Sequence, residues 1–331
     1  MAAPATAALP KPTVTLRLAY GTTLPLALFH VAAANKYYNK YSVSTTQNPL
    51  PASPAMLEGI AANQLDTATA VAASAMPAFD KGLPINAIFV FGYGGDRVAI
   101  CARPDAGIKT VKDLEGKKVA VTFGITQHQM LIEALKAHGV PIQRVQLFNM
   151  SGPDMAAAFA GKSIDAASGV DPDISNWIQK GIAVVIERGG KYIAAPGCVM
   201  IRRSLIEKNP EDVYRFTLAL MDVYHWARTK GQTSDEVVDQ AATLLKADKE
   251  LTREGLKYTV FDPRFSQYVK DELRKDAEFN IAQGRMKKVV DLDTFIVPTF
   301  IDRAQKEHPE FFEDIPDYLK KMNITAPTAL K

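Results

Sequence analysis

Apolar runs of strand length alternate with amphipathic stretches over the first two hundred residues. Runs near 14–20, 41–47, 65–70, 85–91 and 97–103 predict strands, and the stretches near 25–35, 54–63 and 75–81 carry the three-and-four spacing of helices. A second series follows, with strands near 117–121, 144–148, 164–168 and 183–187 and helices near 110–114, 127–138, 153–161 and 172–180. This alternation predicts an α/β fold with mainly parallel strands. From Asn209 onward the pattern is helical alone, beginning with EDVYRFTLALMDVYHWARTK and continuing through DEVVDQAATLLKAD and YVKDELRKDAEFNIAQGRM. The expected architecture is a two-lobed α/β body with a helical C-terminal region.

Two lobes are suggested by an internal echo. Met56 begins the core of an amphipathic run that leads into Leu65-Asp66-Thr67-Ala68, and Met155 begins a similar run that leads into Ile164-Asp165-Ala166-Ala167. Each pair, Met56 with Met155 and Asp66 with Asp165, is about 99 residues apart. The segment IKTVKDLEGKKVAVTFGITQHQMLIEAL reads as a short helix, a turn at Gly116, a strand, a loop and a second helix. Thr126 and Gln129 have capping-box spacing, which predicts Thr126 as the N-cap of that helix. A helix N-terminus at the mouth of a parallel sheet can hold a small polar or anionic ligand through its unpaired N–H groups.

Composition adds bounds. The 331 residues are 47% apolar and 23% charged, ordinary for a globular chain and ample for two cores. A net charge of +3 without a basic run gives no reason to invoke nucleic acid or a membrane surface. The start, MAAPATAALPKP, has no signal-peptide pattern and looks like the first residues of an exported chain whose signal has been replaced by Met1; residues 1–12 are expected to be disordered. Cys101 and Cys198 lie in strand-like segments and form no metal-binding pair. They are either two buried thiols or, if their strands are neighbours, a disulfide.

The elements LRLAY, LEGIAANQLDTATA, Gly92-Tyr93-Gly94-Gly95 before a strand ending in Arg103, IKTVKDLEGKKVAV and AAAFAGKSIDAASGVDP together resemble the substrate-binding proteins of nitrate, sulfonate and taurine ABC importers. The resemblance covers most of residues 14–230. It implies a periplasmic-binding-protein fold of the second type, with lobe 1 formed by 13–102 and 199–331, lobe 2 by 103–198, and crossings near Ile100 to Arg103 and Cys198 to Arg202. The two cysteines would then be potential neighbours. It further implies a monomer in the periplasm that needs no cofactor or metal, captures a small-molecule ligand and passes it to an ABC permease. The aromatic residue common before the Asp-Pro of sulfonate and taurine binders is absent from Gly169-Val170-Asp171-Pro172, as is the cysteine motif of fungal thiamine-pyrimidine synthases.

In a cleft of this kind, contacts come from strand C-terminal ends and helix N-termini. Lobe 1 offers Thr22, Thr23, Asn48, Ser53, Ser74 and Tyr93, and lobe 2 offers Thr122, Phe123, Thr126, Gln127, His128 and Asp171. Tyr93 reads as an aromatic lid, His128 as a solvated first-turn residue, and Asp171 either as a helix cap or as a partner for a ligand amine. Asp96 and Arg97 read as a rim ion pair, and no dense cationic pocket is visible, which disfavours nitrate. Sulfonates, taurine-like zwitterions, carboxylates and heteroaromatic solutes all stay open, with an importer role weighed against a ligand sensor that docks on a membrane receptor. No Walker loop, GxGxxG, HExxH or GxSxG motif supports an enzyme.

Overall fold

The computed structural model, which describes residues 10–50 and 53–322, has a two-stranded and a three-stranded sheet that adjoin as one composite first sheet, and a five-stranded second sheet. In the first half, β1 (Thr15–Tyr20) pairs in parallel with β2 (Ser44–Pro49). Next come β3 (Thr67–Val71) and β4 (Ile85–Gly92), which flank the last strand, β10 (Gly197–Arg202), antiparallel to both. The seam between β1 and β3 is closed by side chains. Ala19 N–H donates to Thr67 Oγ1 at 2.9 Å and Gly21 N–H to Thr69 Oγ1 at 3.0 Å. Through this seam the spatial order is β2-β1-β3-β10-β4.

The second sheet has the same order. It runs β7 (Gln146–Asn149), β6 (Lys118–Val121), β8 (Ala166–Val170), β5 (Val98–Ala102) and β9 (Val184–Arg188), with β5 antiparallel to both its neighbours. Each sheet therefore takes its antiparallel strand from the other half of the chain. The sequence echo reappears in the hydrogen bonds. Asp66 accepts from Arg17 N–H at 2.8 Å and Asp165 from Lys118 N–H at 2.9 Å, so each carboxylate ties the start of one strand to the approach of another. Arg202 N–H donates to Asp66 O and Arg103 N–H to Asp165 O, completing the correspondence.

Burial follows the strand period. Along β5, Val98, Ile100 and Ala102 pack in the core under α5 (Thr126–Ala137), and Ala99 and Cys101 in the core under α6 (Gly152–Ala160) and α7 (Asp173–Gln179). A strand covered on both faces reads as an unbroken apolar run, which is why RVAICAR shows no alternation. The first sheet is packed among α1 (Ala27–Ala34), α3 (Ser53–Ala61), α4 (Ala72–Asp80) and the C-terminal helices. Between α1 and α3 lies the short α2 (Tyr37–Lys40), and after β10 comes α8 (Arg203–Lys208). The long α9 (Pro210–Lys230) buries Val213, Phe216, Leu220 and Tyr224 in that core. Then α10 (Asp235–Leu245), α11 (Lys249–Lys257) and α12 (Gln267–Ala282) start at Ser234, Asp248 and Ser266, whose side chains accept from the first-turn N–H groups of Val237, Leu251 and Val269.

Several expectations are corrected. Strand Val98–Ala102 lies in the second sheet and Gly197 is already in the first, so the crossings fall upstream of the expected 100–103 and 198–202; the division at 102/103 separates β5 from its sheet and the one at 198/199 splits β10. The crossing segments are Gly92–Arg97 and Gly189–Pro196. They run in backbone contact: Gly94 N–H donates to Ala194 O at 2.8 Å, and a Cβ on Gly95 would overlap the Ile193 carbonyl oxygen. Cys101 pairs with Ala167 and Val185, and Cys198 with Ala70 and Val90, in different sheets; both are free and buried. Burial pushes the Cys101 thiol up to about 12. The expected disorder of 1–12 lies outside the described residues for 1–9, and beyond them the Pro10 carbonyl accepts from Arg215.

Candidate functional site

Three helix N-termini and both crossings converge between the sheets on a cavity of about 410 Å³. Ser53 and Pro54 open α3, Val71 and Ser74 flank the start of α4, and Ile125, Thr126 and Gln127 form the start of α5. Arg97 comes from the first crossing, Val98 from the start of β5, Ala195 from the second crossing and Val170 from the end of β8. Helix starts carry unpaired N–H groups and partial positive charge, so the arrangement favours an anion. Their convergence follows from the sequence, because each helix directly follows a strand or its loop at the same end of a sheet.

Arg97 supplies a full charge. It is 8% exposed, its Nε has no hydrogen-bond partner among the described residues, and it lines both the cavity and an adjoining space of about 170 Å³ beside Met56, Thr69 and Phe91. Burial lowers its pKa to about 10, partly opposed by the charge of Asp171, and the side chain stays protonated at neutral pH. The Asp171 carboxylate is engaged elsewhere: Oδ1 accepts from Ser175 N–H at 3.1 Å and Ser175 Oγ at 2.6 Å, and Oδ2 lies 3.6 Å from Arg188 Nη1. A buried cation without a partner is costly unless an anion arrives.

The hydroxyls divide into two groups. Ser53 Oγ donates to Thr69 O at 3.1 Å and Thr122 Oγ1 to Met150 O at 2.7 Å, so their protons are already used. Thr126 lines the cavity as the first residue of α5, whose N-cap is Ile125 with no side-chain cap bond. The capping-box expectation therefore fails. The loop brings Thr126 one step into the helix and turns it toward the cleft.

Of the remaining candidates, Ser74 and Gln127 line the cavity. Thr22 and Thr23 line a neighbouring space of about 310 Å³ between α7 and α11, and Thr23 also borders the adjoining one. Asn48 binds the Leu18 carbonyl at 3.2 Å and holds β2 to β1. Tyr93 is not a lid. It bridges to Val260, packs 5.9 Å from the Tyr268 ring and lines a different cavity behind the crossing. Phe123 is 44% exposed and stacks on His128 at 5.0 Å. His128 is buried, not solvated; its Nδ1 accepts from Gly124 N–H, and burial lowers its pKa and keeps the ring neutral. Arg97 was the residue misread from sequence, because a charge after Gly-Gly-Asp looks like a turn; the clue was its place against the buried run VAICA.

Comparison with known proteins adds four findings. The NMT1-like family model matches residues 9–242. A protein of Bacillus subtilis (strain 168) named as binding aliphatic sulfonates is 25% identical over 77% of this chain and 76% of its own length. The periplasmic aliphatic sulphonate binding protein SsuA from Escherichia coli superposes with a TM-score of 0.75 at 20% identity, covering 86% of this chain and 92% of SsuA. The desulfurization enzyme DSZB shares the fold as well, with a TM-score of 0.70 at 16% identity over 88% of this chain and 99% of DSZB, so the fold by itself does not separate binding from catalysis.

Proposed function

Because this chain belongs to the NMT1-like family, we propose that it is an extracytoplasmic binding protein that takes a small organic anion of sulfonate type into its cleft and delivers it to an ABC permease. The observation that carries this reading is Arg97, a buried guanidinium whose Nε has no partner among the described residues and which lines a space that three helix N-termini also face. The walls around it are apolar, with Val71, Val98, Ile125 and Val170. A single cation with such walls suits a head group that carries a short aliphatic tail better than a bare inorganic anion. The hydroxyls of Ser53 and Thr122 donate to main-chain carbonyls and so are not poised beside a base, which favours binding over catalysis. An export address fits the periplasmic SsuA, and no helix among the described residues is long and apolar enough to cross a membrane.

The test is a thermal-shift and calorimetric screen with methanesulfonate, ethanesulfonate, butanesulfonate, taurine, acetate and nitrate. Ligand at a hundred times its Kd stabilises the folded state by about 2.7 kcal/mol. The alkanesulfonates are expected to give the largest rise in Tm. Folded protein that responds to none of the anions at millimolar concentration would sink the reading.

A further inference from the structure

One face of α12 spans from the first lobe to the second. Glu272, Asp276 and Phe279 fall at i, i+4 and i+7 and share that face. Glu272 Oε2 accepts from Ala194 N–H in the second crossing at 2.9 Å. Phe279 meets the His128 ring edge-on at 5.9 Å between centroids, and Arg285, just past the helix, donates to the Gly124 carbonyl. Between these contacts Asp276, 4% exposed, faces Gln129 of α5, whose buried Oε1 has no hydrogen-bond partner among the described residues. Gln129 follows within one turn of Thr126 and Gln127, which line the cleft. Whatever holds Gln129 fixes where those two side chains sit.

We propose that Asp276 is a positioning residue for the cleft, taking a proton from solvent when the lobes close so that its carboxyl donates to Gln129 Oε1 and clasps α5 against α12. The proposal rests on the cleft being an anion site closed by lobe motion. An ionised Asp276 can only accept hydrogen bonds, and it leaves the Gln129 oxygen orphaned; the protonated acid supplies the missing donor.

The surroundings favour the protonated form. Burial pushes Asp276 up to about 7 and the negative charge of Glu272 adds to this, while the Gln129 amide and the Lys275 charge oppose it. On α5, Glu133 and Lys136 line the groove outside the clasp together with Lys275 and Glu278 of α12, and burial lowers the pKa of His128. From β10 the Cys198 thiol feels Asp276 and stays protonated, and α4 carries no titratable side chain before Asp80. Opening would return Asp276 to water and to an ordinary carboxyl pKa, so closure binds a proton. The raised pKa belongs to the clasped state, and the clasp is favoured at acid pH and lost as pH rises through about 7.

The experiment places spin labels at K81C and K180C, exposed positions on the two lobes, and records interlobe distances in the ligand-free protein from pH 5.5 to 8. The closed population is expected to rise at acid pH. Asp276→Asn, whose amide donates without a proton, should stay closed across the range, and Gln129→Ala should lose the step. Distances independent of pH, or a step that persists in D276N, overturn the clasp. Ethanesulfonate should bind at least fivefold more tightly at pH 5.5 than at pH 8 in the parent protein and equally at both in D276N. If the distance step holds but ethanesulfonate binds at neither pH, the anion reading fails and the clasp stands.

Discussion

Arg97 is held in a buried state, only partly offset by the charge of Asp171, that an anion in the cleft would relieve. Its guanidinium is buried, its Nε is unpartnered among the described residues, and the counter-charge acting on it, Asp171, is already bound to Ser175 and lies near Arg188. Removing such a charge should help the empty protein and harm the filled one, a trade expected at binding sites. Arg97→Met is therefore expected to keep or raise the Tm of the ligand-free protein. It should also weaken sulfonate binding by about 1.5–3 kcal/mol for each charge-assisted hydrogen bond lost, roughly ten- to a hundredfold. Calorimetry and melting curves on the same sample decide this; a lowered ligand-free Tm with binding intact would make Arg97 structural. This residue was hidden in the sequence because its burial depends on Ile193 and Ala194, about a hundred positions away, closing over Gly94 and Gly95. Tyr93 was misread for the same reason, since its partners Val260 and Tyr268 lie in the distant C-terminal region. Thr126 was legible because a polar residue at a strand-to-helix junction is a local signal.

At the scale of elements, the two lobes carry one hydrogen-bonding device twice, with different burial. Asp66 accepts from the Arg17 backbone and guanidinium and pairs with Arg202, and its side chain is 2% exposed; Asp165 plays the same part for Lys118 and Arg103 at 27% exposure. For Asp66, burial pushes the carboxyl up, but hydrogen bonds from Arg17 and the charges of Arg202 and Arg17 outweigh it and hold the group below the usual carboxylate range. A depressed carboxyl stabilises the fold above its unfolded pKa and loses that contribution as pH falls through the folded value. Asp66→Asn is thus expected to destabilise the protein at pH 7 by more than Asp165→Asn does. The deficit should shrink as the pH is taken below about 4, where the unfolded carboxyl begins to protonate, and vanish only below the depressed folded value. Denaturant melts of the two variants at pH 7 and pH 3.5 check both statements, and equal costs would mean that burial does not set the value of this contact. The repeat itself was visible in the 99-residue echo, whereas the helix starts at Ser234, Asp248 and Ser266 emerge from the structure. The seam between β1 and β3 was not, because a threonine that replaces a backbone ladder looks like any other strand residue.

For the whole molecule, function depends on how the two crossings pack. Cys101 and Cys198 occupy different sheets as free thiols, so no covalent bond between them ties the lobes. Contact passes instead through the Gly94 to Ala194 hydrogen bond and the close approach of Gly95 to Ile193, two residues before Arg97. A methyl group at Gly95 would meet backbone, which cannot swing aside as a flexible side chain can. Overpacking of this kind costs about 1–3 kcal/mol, and the crossings must separate to relieve it. Gly95→Ala is expected to lower Tm by several degrees and to weaken sulfonate binding at least tenfold, because the shift moves the Arg97 guanidinium relative to the helix starts of the other elements. Gly107→Ala is the control: its left-handed backbone is strained by a side chain, but nothing lies near the added methyl and the position is remote from the cleft lining. It should cost stability without changing affinity. If Gly95→Ala also lost only stability, the placement of Arg97 would be set by β5 and the second sheet alone, and the packing of the crossings would matter to folding but not to capture of the ligand.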